Sequence, residues 1–222
     1  MPHTVRIWDL PLRLFHWALA AGVIGLVITA KLGGNAMVWH FRLGYLVLSL
    51  LLFRGLWGLI GGRWARFSAF IYSPQRTWRY LKGQGRPEDS VGHSPLAALS
   101  VFALLGILAL QAGSGLLTDD EIAFAGPLTR LASGTLVEQA TTYHKAIGQY
   151  LLLGMVALHL LAIAGYVAVK KQALVRPMVT GDKAWPHPLP ASRDDTALRL
   201  VALGLWAACA ALVWWISELG TV

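Results

Sequence analysis

Residues 143–169, YHKAIGQYLLLGMVALHLLAIAGYVAV, decide how this chain is read. From Ala146 to Val169 there is no Asp, Glu, Lys or Arg, and a bilayer core needs about 20 helical residues of this kind. The stretch nevertheless holds His144 at its start and His159 within it. Ionisable side chains are costly inside a membrane, so each marks a functional position, and neutral imidazole is a common iron ligand. The two histidines are 15 residues apart, about 22 Å along an α-helix, and 15 steps of about 100° leave them within about 60° of one another. One helix thus offers two ligands at two depths on roughly the same face.

Working outward, four more apolar stretches approach or reach membrane length: Leu14 to Ala30, Leu43 to Gly61, Leu96 to Leu117 and Leu200 to Ile216. The 222 residues are 56% hydrophobic and 14% charged, a balance that leaves too little polar surface for a water-soluble domain of this size. An all-α membrane protein with five spanning helices is expected, with no room for a second globular domain. The opening MPHTVRIWDLPLRLFHW lacks the small-residue cleavage site of a secretory signal, so the first run reads as a retained helix. Asp9 and Pro11 suit its start, as a capping carboxylate and a first-turn proline.

The net charge of +8 follows the loops rather than forming a nucleic-acid patch. Arg63, Arg66, Arg76, Arg79, Lys82 and Arg86 lie between the second and third runs, and Lys170, Lys171, Arg176, Lys183 and Arg193 between the fourth and fifth. Both segments are expected on the cytoplasmic side, which places the N-terminus inside and the C-terminus outside. Ser73 and Pro74 suggest a short interfacial helix in the first of these segments, with an unstructured loop as the alternative. The acidic stretch from Asp119 to Glu138 reads as solvated surface, a short external helix or lid, or a docking site for a soluble partner. No strand-like alternation stands out.

On this topology His16 lies near the cytoplasmic face, His40 and His144 near the outer face, and His159 deep on the inner side. His40 and His144 are therefore expected to clamp one iron, and His16 and His159 another. The chain's only cysteine, Cys209, lies in the fifth run, which excludes a C-x-x-C-H attachment, so haem would be held by coordination and packing alone. Gly44 and Gly148 each stand one turn after an outer histidine, where a flat macrocycle must approach. Ordinary close contact between helices is the competing explanation. Arg54, 14 residues beyond His40, is placed to meet a propionate of the inner haem or to snorkel to headgroups. Arg42 and Lys145 flank the outer ligands and Arg13 the inner one, facing propionates or headgroups. His3 and His187 fall in polar flanks. His93, in GHSP, is expected to cap the third spanning helix or to be exposed, with a quinone or proton site as a further option. Iron with two axial histidines has no vacant position, so the centres suit electron conduction across the bilayer.

WDLPLRLFHW, HFRLGY, RGLWGLIGGRWARF, GHSP, YHKAIGQYLLLGMVALH and LVRPMVTGDK resemble the bacterial cytochrome b561 family over residues 5–183. That family is similar to the b-type subunits of nickel-iron hydrogenases and formate dehydrogenases. The resemblance implies a four-helix transmembrane core in the bacterial inner membrane, residues 1–183, with two non-covalent haems b on ligand positions matching His16, His40, His144 and His159. Residues 184–222 would be a linker and an extra C-terminal spanning helix. It further implies electron exchange between ubiquinone or menaquinone and a redox partner such as a c-type cytochrome or a dehydrogenase subunit. A superoxide-to-ubiquinone oxidoreductase is a variant within the family, which the acidic third loop disfavours. A haem-free transporter or proton channel using its intramembrane histidines is the alternative from another class.

Overall fold

A computed structural model describes residues 3–220. Five helices within it are long and apolar enough to cross a membrane. They are α1 (Leu10–Leu32), α2 (Ala36–Ile60), α4 (Pro95–Gly115), the continuous stretch formed by α5 (Gly134–Thr142), a π-helical segment (Tyr143–Gly148) and α6 (Gln149–Ala168), and α8 (Thr196–Glu218). Short helices α3 (Pro74–Leu81) and α7 (Val175–Thr180) lie in the two basic segments. Leucines 32, 59, 161 and 203 and Trp214 are all more than half exposed. Such an outward apolar face suits lipid, where the helix satisfies its own backbone and the side chains need no polar solvent. The chain is an all-α membrane protein.

The structure divides into two compact units. The first is built from the residues up to Leu14, Arg54–Ala103 and Met155–Leu203. Trp57 and Ala65 are fully buried there, and Ile7, Phe70 and Val91 are nearly so. Here the sequence expectation needs a correction, because two strands form. β1 (His3–Arg6) pairs antiparallel with β2 (Asp182–Trp185), with Arg6 opposite Asp182 and His3 opposite Trp185. Four residues are too few to show a period of two, so this pairing leaves no sequence pattern. The boundary expected at residue 183 falls inside β2.

The tail after β2 is stitched to the first residues. Ser192 donates its N–H to the Arg6 carbonyl at 2.7 Å and its hydroxyl to the Ile7 carbonyl at 2.7 Å. Trp64 Nε1 donates to the Pro190 carbonyl at 2.9 Å. Asp194, with 6% of its side chain exposed, accepts from Arg6 at 2.5 Å, Arg199 at 3.0 Å and the Leu10 N–H at 3.1 Å. The turn that brings the tail back ends α7 on Gly181, with φ of 89°. Its carbonyl accepts from the N–H groups of Ile7 and Trp8. A left-handed residue at this cap favours glycine, and a Cβ there would stand 2.6 Å from the Trp8 carbonyl oxygen. α3 forms where expected, with the Ser73 hydroxyl accepting from the Arg76 N–H at 3.3 Å and proline in the first turn.

The second unit comprises Phe15–Phe53, Leu104–Gly154 and the chain from Gly204 onward. α1 and α2 run close together here, since a Cβ on Gly25 would meet Leu43 Cδ1 at 2.8 Å. The acidic third loop folds as a compact turn rather than an open segment. One carboxylate oxygen of Asp120 accepts the N–H groups of Ile122, Ala123 and Phe124. Those bonds, led by that from Phe124, hold its carboxyl below the usual range. Phe124 stacks on Phe41 of α2, with ring centroids 6.0 Å apart.

Candidate haem site

The second unit encloses a cavity of about 670 Å³, with His40, Gly44, Gln111, Phe124, His144 and Lys145 on its wall. His40 is in the second turn of α2, and His144 lies in the π-helical segment. π turns are rare and recur at functional positions. The two imidazole rings stand with centroids 6.2 Å apart and planes at 86°.

Each ring is held from behind. His40 Nδ1 lies 3.0 Å from the Leu26 carbonyl oxygen and 3.3 Å from Thr29 Oγ1, both on α1. His144 Nδ1 lies 2.9 Å from the Gln111 carbonyl oxygen and 3.3 Å from Ser114 Oγ, both on α4. A carbonyl can only accept, so Nδ1 of each ring carries the proton and donates. That leaves the lone pair on each Nε2 available to a metal, which is how ligating histidines are commonly fixed.

These residues fit a bis-histidine haem. A metal–imidazole bond is about 2 Å and a ring centroid lies about 1 Å behind its nitrogen, so two axial rings stand roughly 6 Å apart, close to the observed 6.2 Å. Two imidazoles do not complete a coordination sphere, and among the described residues no three His, Cys, Asp or Glu side chains gather as a metal site. A macrocycle supplying the remaining donors meets both conditions. Its apolar bulk suits the cavity, whose volume lies within the common range for bound cofactors.

The two glycines behave differently. Gly44 lines the cavity, and a Cβ there would have nothing within 4 Å. Gly148 is buried away from the lining, closed in by the Gln111 side chain and by Tyr143, whose ring would lie 2.7 Å from a Cβ. The close-contact alternative therefore describes Gly148 in this structure. Lys145 is at the cavity wall, whereas Arg42 is exposed and lies over the Trp39 ring at 5.0 Å.

His16 belongs to the second unit and His159 to the first. His16 is half-buried, with its ring edge-on to Trp17 at 5.1 Å. His159 is half-buried on α6, and no hydrogen bond to its ring is present among the described residues. Arg54, in the first unit, is 2% exposed, so it does not snorkel. Its Nη2 donates to the Ala65 carbonyl at 3.1 Å, its guanidinium covers the Phe67 ring at 4.5 Å, and Nη1 has no hydrogen-bond partner among the described residues. Arg13 turns into the protein instead of toward headgroups, donating to the Val179 carbonyl at 2.6 Å with Asp194 at 4.0 Å.

His93 also needs a correction. It neither caps α4, a task taken by Ser94, whose hydroxyl accepts from the Ala97 N–H, nor lies in solvent. Its ring sits between Trp8 at 4.6 Å and Phe70 at 4.4 Å. Sequence reasoning missed Thr29 and Ser114. Their signal is a hydroxyl in an apolar run, three residues after the carbonyl that holds the histidine, and it becomes legible only once the histidine's neighbours are known.

The family model for prokaryotic cytochrome b561 matches residues 7–181. Three similar curated proteins are each named as a probable Ni/Fe-hydrogenase B-type cytochrome subunit. That of Azotobacter chroococcum mcd 1 is 26% identical, covering 84% of this chain and 91% of its own. That of Azotobacter vinelandii is 23% identical with the same coverage, and that of Rhodobacter capsulatus is 24% identical over 82% of both chains. No solved structure matches. With a family match running from the residue that follows β1 to the glycine that ends α7, the protein belongs to the prokaryotic cytochrome b561 family.

Proposed function

We infer that this chain carries electrons across a bacterial inner membrane through two haems b, one on His40 and His144 and one on His16 and His159. It exchanges them between a quinone pool and a redox partner protein. Membership of the family supports membrane electron transfer and haem b. The names of the relatives favour a hydrogenase-type dehydrogenase as the partner over a c-type cytochrome. They also count against a haem-free transporter. The N-terminus is assigned to the cytoplasm and the C-terminus to the periplasm by the basic loops.

The single observation that carries this reading is the pair of imidazoles with Nδ1 turned to carbonyls and 6.2 Å between their rings. When bound, the iron supplies a one-electron couple with no open coordination site. The chain's own residues do the rest. Leu26 and Gln111 fix the tautomers, Gly44 leaves open space, and Phe41 and Phe124 wall the cavity with apolar surface. Lys145 and Arg54 are the cations assigned to propionates, Arg54 through Nη1, which has no hydrogen-bond partner among the described residues. The test is haem stoichiometry: purified protein is expected to contain two haems b per chain, with low-spin bis-imidazole spectra in both redox states. A preparation that stays colourless after haem supplementation overturns the reading.

A further inference from the structure

His40 and His144 are served by matching pairs of oxygens on helices that bring no ligand to this pair. On α1 the pair is the Leu26 carbonyl and the Thr29 hydroxyl, and on α4 it is the Gln111 carbonyl and the Ser114 hydroxyl. In both, carbonyl and hydroxyl are three residues apart, and each hydroxyl has a carbonyl of its own helix to donate to. Thr29 donates to Gly25 at 2.7 Å, with Leu26 at 3.1 Å, and Ser114 donates to Gln111 at 3.0 Å. With its hydrogen committed there, each hydroxyl oxygen presents lone pairs to the imidazole N–H at 3.3 Å. Each N–H therefore faces two acceptors.

We propose that Thr29 and Ser114 are positioning residues that lower the reduction potential of the haem held by His40 and His144. This rests on those two histidines being its axial ligands. An acceptor that draws the Nδ1 proton outward moves electron density toward Nε2, and a more electron-donating ligand favours ferric over ferrous iron. The carbonyls supply a fixed part of this effect, because backbone cannot be substituted away. The hydroxyls are the part that sequence can adjust.

The experiment is equilibrium redox titration of purified protein carrying Thr29→Val, Ser114→Ala or both, beside measurement of haem content. Haem content is expected to stay at the wild-type value. One of the two potentials is expected to rise, by roughly threefold in the reduction equilibrium for each variant and roughly tenfold for the double, about 59 mV for a one-electron couple. Thr29→Ser keeps the oxygen and is expected to keep the wild-type potential. If valine at 29 expels the haem, Thr29→Ala and Ser114→Ala carry the measurement. Full haem content with unmoved or lowered potentials overturns the proposal. His40→Ala and His144→Ala separate this from failure of the underlying reading, since retention of both haems in those variants removes the ligand assignment itself.

Discussion

The two units treat their buried polar groups in opposite ways. In the second, two imidazoles are braced from behind while the space before them stays open. In the first, the charged groups are packed among chain segments: Asp9 is fully buried, with Leu12 N–H and Trp57 Nε1 on one oxygen and no hydrogen-bond partner for the other among the described residues, and Asp194 is ringed by Arg6, Arg199 and the Leu10 N–H. One unit leaves open space in front of its histidines, and the other fastens chain segments together. A buried polar group that faces open space points to a ligand, whereas one enclosed by the chain's own segments points to architecture.

The largest expected effect breaks the open unit. His144→Ala or His40→Ala is expected to remove one of two haems and leave the other, as read by haem content and the reduced spectrum. His159→Ala is expected to remove the other one. Loss of the same haem from all three variants dissolves the proposed pairing. Next, Gly44→Leu fills open space and is expected to lower haem occupancy with little change in folding. Gly148→Leu meets Gln111 and Tyr143 and is expected to destabilise the protein by about 1–3 kcal/mol through overpacking. If Gly44→Leu binds haem normally, the cavity is not the haem's place.

In the fastening unit two aspartates are expected to answer pH with opposite signs. Burial would raise Asp194, but the bonds from Arg199, Leu10 N–H and Arg6 outweigh it and hold the carboxyl below its ordinary value. A depressed folded pKa means that the stabilisation is present above the unfolded value of about 3.9 and is lost as pH falls through the folded one. Asp194→Asn is therefore expected to loosen the tail at neutral pH, costing about 1–2 kcal/mol, with earlier proteolysis between residues 182 and 195. Asp9 is shifted upward by burial, against the bonds from Leu12 and Trp57. Its charged form is the costly one, so stability falls as pH rises through the window between the unfolded and folded values. Asp9→Asn keeps an oxygen for both donors and, the smallest effect of the set, is expected to raise the melting temperature by a few degrees at pH 8 and not at pH 4. Equal responses at both pH values would mean that Asp9 is not titrating in that range.

The five spanning helices were legible because a run such as Leu43–Gly61 needs no partner to declare itself, and His40 and His144 stood out as histidines opening two such runs at the same depth. The Leu26 and Gln111 carbonyls were not legible, since backbone acceptors carry no residue identity. Nor was the β1 to β2 pairing, which joins segments about 180 residues apart through strands of four residues. His93 was misread because its neighbours Trp8 and Phe70 are distant in sequence. Thr29 and Ser114 were visible letters whose meaning depended on which histidine came to face them.

The π-helical segment at Tyr143–Gly148 changes what kind of mutation the helix that carries His144 can tolerate. A π turn is an α-helix that has absorbed an extra residue. Removing one residue between Tyr143 and Gly148 would let the ladder close as ordinary α-helix, turning everything on one side by about 100° relative to the other. His144 would then leave its place opposite His40 without having been substituted. Within these six residues the protein is accordingly sensitive to length as well as to identity, a constraint that a catalogue of point variants would never reveal.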